Sequence, residues 1–89
     1  MALFMVVEHY IDGPGPVYER FAEQGRMLPD GLRYVDSWVV ATTLDVCFQV
    51  METDDPALFD AWTARWADIV RFEVHEVVRS AQAAARSGG

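Results

Sequence analysis

Apolar and polar residues alternate with a period of two over residues 32–52, LRYVDSWVVATTLDVCFQVME, and β-branched and aromatic side chains dominate the stretch. This predicts a hairpin, with residues 41–45 as its polar turn. Val46, Phe48 and Val50 make a wholly apolar row suited to a helix-covered core, whereas Cys47, Gln49 and Met51 make a mixed row. Upstream, residues 2–9 set Leu3, Met5, Val7 and His9 against Phe4, Val6 and Glu8; both rows are largely apolar, which predicts a central strand covered on both sides. Asp12-Gly13-Pro14-Gly15-Pro16 ends it, and a helix is expected over 16–25, with Val17, Phe21 and Leu28 inward and Glu19, Arg20 and Glu23 toward water.

Pro29-Asp30-Gly31 is a turn leading into the hairpin. After it, Asp55 is placed to cap a second helix with Pro56 at its first position. That helix is expected to reach residue 70, burying Leu58, Trp62, Trp66, Ile69 and the stem of Arg65. Residues 71–79 return to alternation, Phe72 and Val74 opposite Glu73, His75 and Val77, and form a fourth strand. One domain over 1–79 is expected, with 80–89 as an Ala-rich tail.

Strand, helix, strand, strand, helix, strand is the α+β ferredoxin-like order: a four-stranded antiparallel sheet in the order 4-1-3-2 with both helices on one face. The other face is left bare over an area on the order of 300 to 400 Å². With Val46, Phe48, Val50, Phe72 and Val74 under the helices, that face collects Gln49, Met51, His75 and Val77. The rows Leu3, Met5, Val7, His9 and Tyr34, Asp36, Trp38 are assigned to it as well. So apolar a face predicts a homodimer, two sheets packed face to face into a barrel.

Composition narrows the chemistry. The 89 residues carry a formal charge of −7, which disfavours nucleic acid and anionic lipid as partners. All seven basic residues are Arg; without Lys there is no Schiff-base nucleophile and no P-loop lysine. No apolar run approaches the roughly 18 residues of a membrane helix, and Met1 to Val7 lacks a signal-peptide pattern, so a cytoplasmic protein is expected. The lone Cys47 reads as a small buried apolar residue.

The segments MVVEHY, GRMLPDGLRYVDSWV, CFQVME, DDPALFDAW and ARWADIVRFEV together resemble domain-of-unknown-function family 3303, over nearly the whole chain up to about Val78. That family is similar to the dimeric α/β barrel superfamily, whose members include cofactor-free monooxygenases, haem-degrading enzymes, stress-response barrels and small-ligand-binding modules. The resemblance implies the barrel architecture and no particular activity. Such monooxygenases commonly use an asparagine near the end of the first strand, a tryptophan and often a histidine. His9 would stand at the asparagine's place and Trp66 and His75 could supply the others, but the chain has no Asn, and His75 falls in a strand.

His9 and His75 are the only imidazoles, on strands that the 4-1-3-2 order makes neighbours, and beside a carboxylate such as Asp36 or Glu52 either could serve as a general base. The leading expectation is a barrel cavity holding a small, partly apolar molecule between Met5, Val7, His9, Tyr34, Asp36, Trp38, Gln49, Met51 and His75. An oxidative or isomerising enzyme with His9 or His75 as catalytic base, and a purely structural dimerisation module, are the alternatives. No metal-ligand spacing, GxSxG serine or GxGxxG loop occurs, so neither a metal nor a cofactor is implied.

Overall fold

The stretch ALFMVVEHY forms the longest strand and hydrogen-bonds on both edges, which satisfies its backbone where two apolar faces exclude water. In the computed structural model, which describes residues 1–88, the elements are β1 (Ala2–Tyr10), α1 (Pro14–Gln24), β2 (Arg33–Val39), β3 (Val46–Thr53), α2 (Leu58–Ala64), β4 (Val70–Val77) and α3 (Ser80–Arg86). All pairings are antiparallel in the order β2-β3-β1-β4, the 4-1-3-2 arrangement of the ferredoxin-like fold, extended here by a final short helix. Val17 of α1 and Phe59 and Trp62 of α2 share one core with Phe4, Val6 and Tyr10 of β1 and Cys47 and Met51 of β3. The slab is only 17 Å thick, one helix layer on one sheet layer.

The helices begin and end for local reasons. α1 starts at Pro14, two residues before the expected Pro16, because both prolines fit a first turn whose amides have no intrahelical acceptor. The second helix does not start at Pro56 with Asp55 as its cap: Asp55 accepts from the Ala57 amide at 3.1 Å within a tight turn, and α2 begins at Leu58, with Ala57 at the cap position and no side-chain cap. It also stops early. After Ala64 the chain tightens into i→i−3 bonds, including Trp66 N–H to Thr63 and Ile69 N–H to Trp66, which keep Trp62, Trp66 and Ile69 all against the sheet. Phe59 is buried beside them, while Leu58 is only partly covered.

Two face assignments are corrected. Cys47, Gln49, Met51 and Thr53, not Val46, Phe48 and Val50, lie under the helices: they pair with Glu8, Val6, Phe4 and Ala2 and all four are buried, whereas Phe48 is 40% exposed. Strict alternation cannot say which row is inner when both rows are apolar enough, and a slip of one residue reverses every side chain. The second correction is Tyr34. Between Tyr34 and Asp36 the register shifts, with two residues of β2 advancing for one of β3 and Val35 the extra residue. Tyr34 therefore pairs with Met51 on the helix face, while Asp36 and Trp38 pair with Val50 and Phe48 on the open face.

The remaining faces match expectation: Leu3, Met5, Val7 and His9 share the open face with His75 and Val77, and Phe72 and Val74 the helix face. Val74 stays 37% exposed there, on the edge strand β4. The segment after residue 79 forms α3, none of whose side chains is buried; Gly89, the end of the expected tail, lies outside the described residues. Among the described residues no helix is long and apolar enough to cross a membrane.

Gly31 adopts φ 94° in the turn before β2, and an added Cβ there would stand 3.1 Å from a Leu58 methyl. Gly31→Ala is expected to cost about 1–3 kcal/mol, since the left-handed backbone is strained for any L side chain. Chemical denaturation measures this, and an unchanged midpoint contradicts it.

Candidate functional site

Polar residues sit on the wrong side of the sheet for a simple core. Glu8 belongs to the row Phe4, Val6, Glu8, Tyr10, which faces the helices, and across from it β3 presents Cys47 and Gln49. Alternation puts Glu8 there: with Phe4 and Val6 inward, it has to follow. The helix layer does not close over them. A cavity of about 130 Å³ remains, walled by Val17, Tyr18 and Phe21 of α1, Ser37 and Val39 of β2, and Trp62 and Trp66, with Arg26 at its side. A dry cavity of about 150 Å³ accepts benzene, so this space has the size of one ring.

The loop carrying Arg26 is clamped by the second helical segment. Both indoles donate to the Arg26 carbonyl, Trp62 at 3.0 Å and Trp66 at 3.1 Å, and Arg65 donates to the carbonyl of Met27. Met27 has φ 58°, a conformation costing about 1–3 kcal/mol that these bonds offset. The clamp fixes the guanidinium. It lies over the Tyr34 ring at 3.6 Å from the centroid and over the Phe21 ring at 5.0 Å, cation–π contacts with both. No carboxylate among the described residues comes within 4 Å of it.

Glu8 is 8% exposed, and no group among the described residues hydrogen-bonds its carboxyl, although the oxygens are not sealed from the cavity. Burial pushes its pKa up to about 7, against the opposing pull of Arg26. Burial, then the Glu8 charge, drive the Cys47 thiol up to about 11, so it holds its proton at neutral pH and is a poor nucleophile. The Tyr10 hydroxyl is raised too, by burial first and by Cys47 and Glu8 after it. The cavity therefore offers one carboxyl that changes charge near neutrality beside one fixed cation.

The histidines form a separate cluster on the open face. His9 Nε2 is 2.6 Å from Glu73 Oε2 and His75 Nε2 is 3.8 Å from Glu73 Oε1, so the carboxylate between them is Glu73 rather than Asp36 or Glu52. Hydrogen bonding from His9 holds the Glu73 carboxyl below its ordinary range. Asp36 lies on β2 with β3 between it and β1; its Oδ1 accepts from the Ser37 amide at 2.8 Å. Glu52 pairs with Leu3, at the opposite end of β1 from His9, and its nearest cation is Arg33 at 3.9 Å.

Of the expected ligand-binding residues, Met5, Val7, Asp36 and Trp38 share the open face with His9 and His75. Tyr34, Gln49 and Met51 do not. Met51 is fully buried beneath the helices, Gln49 turns its amide to the Met51 sulfur at 3.2 Å, and the Tyr34 hydroxyl meets Ser37 Oγ at 2.7 Å. Trp66 is also on the helix side, so the tryptophan and the histidines of a monooxygenase-like site are on opposite faces of the sheet. No group of three or more His, Cys, Asp or Glu side chains among the described residues is placed to hold a metal ion.

The sequence reading missed Glu8 and Arg26. The available signal was the single acid in the row Phe4, Val6, Glu8, Tyr10, which otherwise reads as core. Nothing in the spacing marked Arg26, whose place depends on a loop folded back onto α2. A family model described as "Domain of unknown function (DUF3303)" matches residues 2–88. No curated protein matches the chain.

Proposed function

Because the chain belongs to domain-of-unknown-function family 3303, whose description assigns no activity, we propose from its geometry that it binds a small molecule in the cavity between sheet and helices. One observation carries this: the carboxyl of Glu8, a residue only 8% exposed, has no hydrogen-bond partner among the described residues and opens into a ring-sized space lined by aromatic side chains. An unpaired buried carboxyl opposes folding, and a ligand group that hydrogen-bonds it removes that penalty. Trp62 and Trp66 line the space and report on it. Single-ring compounds are expected to quench their emission saturably at one equivalent per chain. Val39→Phe, which fills the cavity from β2, is expected to abolish the effect; quenching that never saturates, or that survives Val39→Phe, overturns the reading.

A second reading follows from the same carboxyl: a group titrating near neutrality suits an acid–base catalyst of proton transfer, the isomerase-like alternative. Glu8, rather than His9 or His75, is then the catalytic group.

We also propose that two copies pair through their open sheet faces. Supporting this, the face that no helix covers carries Leu3, Met5, Val7, Val46, Val50 and Val77 together with Phe48, 40% exposed, and its cross-strand neighbour Trp38, 56% exposed. Sedimentation at micromolar concentration is expected to give twice the 10.0 kDa chain mass, and Phe48→Arg to give the monomer with the same circular dichroism. A wild-type monomer rules the pairing out.

A further inference from the structure

We propose that the molecule held in the helix–sheet cavity is a single-ring carboxylate, its charged group lodged between the Arg26 guanidinium and the Glu8 carboxyl and its ring against the aromatic wall. The inference rests on the small-molecule reading of the cavity and adds the ligand's chemical class. Three observations converge on it. With fourteen acidic residues against seven arginines, carboxylates are plentiful. Arg20 pairs bidentately with Asp68 at 2.7 and 2.8 Å, yet partly buried Arg26 reaches none. Its guanidinium carbon lies over the Tyr34 ring at 3.6 Å and the Phe21 ring at 5.0 Å, contacts with π-faces that supply no acceptor for the N–H groups a carboxylate binds in a fork. Glu8 is equally without a hydrogen-bond partner among the described residues. In its protonated form it donates one hydrogen bond, which a carboxylate accepts, and both vacancies are filled by one anion.

A neutral amide satisfies one of the two groups and leaves Arg26 uncompensated, and an amine meets the guanidinium's repulsion. The ring is accommodated by Tyr18, Phe21, Trp62 and Trp66, with Val17 and Val39 closing the sides.

Because the anion needs the protonated carboxyl, binding is linked to proton uptake. The groups around Glu8 are Tyr10 on its own strand, Cys47 and Gln49 of β3, Ser37 of β2, Tyr18 of α1 and Arg26; β4 opposes it with uncharged Phe72, and the second helical segment contributes only the two indoles. Cys47, at about 11, and Tyr10, also raised, keep their protons through pH 9. Glu8 is left to set the pH dependence, with its midpoint at about 7.

Calorimetric titration of the full chain with benzoate, benzamide and benzamidine at pH 6 and pH 8.5 tests this. Benzoate is expected to bind at least roughly tenfold more tightly than either isostere at pH 6, and to weaken roughly 30-fold at pH 8.5 with uptake of one proton. Glu8→Gln should keep benzoate binding at pH 6 and flatten its pH dependence. Arg26→Gln should erase the preference for benzoate, and Arg26→Lys, which keeps the charge but not the fork, should restore part of it; the Trp62 and Trp66 bonds go to the backbone carbonyl and are retained in both variants. Tighter binding of benzamide or benzamidine, or benzoate affinity independent of pH, overturns the anion while leaving a ligand cavity. Failure of all three compounds to bind removes the cavity reading and this inference together.

Discussion

Glu8→Gln is expected to stabilise the protein by about 2–3 kcal/mol at pH 8 and to leave it nearly unchanged at pH 5. The carboxyl titrates at about 7 in the folded chain against an ordinary 4.5, because it is buried without a partner. A carboxyl whose folded value is the higher one binds its proton more tightly in the native state. Stability is therefore undiminished below the unfolded value and falls as pH rises from about 4.5 through about 7. Above that window both states are ionised and the native state carries the whole cost of burying the charge, which Arg26 offsets only in part. Glutamine keeps the shape and removes the titration. Urea unfolding of both proteins across pH 5 to 8.5 measures the difference curve, and a variant equally destabilised at both ends would mean that Glu8 is held by partners in the folded protein.

The other large effect concerns the indole pair. Trp62→Ala is expected to cost about 3–5 kcal/mol, a large share of the roughly 5–15 kcal/mol available to a domain. Trp62 is 3% exposed, packs at 5.2 Å from the Phe72 ring and 6.3 Å from Phe59, and hydrogen-bonds the Arg26 carbonyl. The truncation thus removes packing between α2 and the sheet and half the clamp on the Arg26 loop. Trp62→Phe keeps a ring and loses the N–H, but Trp66 still donates to the same carbonyl, so its cost should be about 1 kcal/mol. Denaturation at pH 5.5, below the Glu8 midpoint, separates these effects from the carboxylate penalty. An alanine variant losing less than the phenylalanine variant contradicts the account.

The separation of the two candidate sites explains how far each could be read in the chain. The His9 and His75 neighbourhood followed from strand order, because placing β1 beside β4 brings those residues together on one face. Glu73 was within the same reach: it stands two residues before His75 and shares its face. The cavity was not. It needs the inward row of β3, which alternation left undetermined, and an Arg26 loop positioned by indoles 36 and 40 residues away in sequence.

By itself the sequence determined the element order through β4, the antiparallel 4-1-3-2 sheet and the burial of Trp62 and Trp66, since these follow from local periodicity, turn residues and chain connectivity. Tertiary structure alone decided that Cys47, Gln49 and Met51 turn inward, that Tyr34 leaves the row of Asp36 and Trp38, and that Glu8 meets Arg26. The reason is physical: periodicity fixes which residues share a face, but which face is covered depends on the combined packing of several elements, and one inserted residue at a bulge exchanges the rows. On β3 the more apolar row, Val46, Phe48 and Val50, is the one the helices leave open, and the inward row sets Cys47 and Gln49 in the same small space as the Glu8 carboxyl and the Arg26 guanidinium.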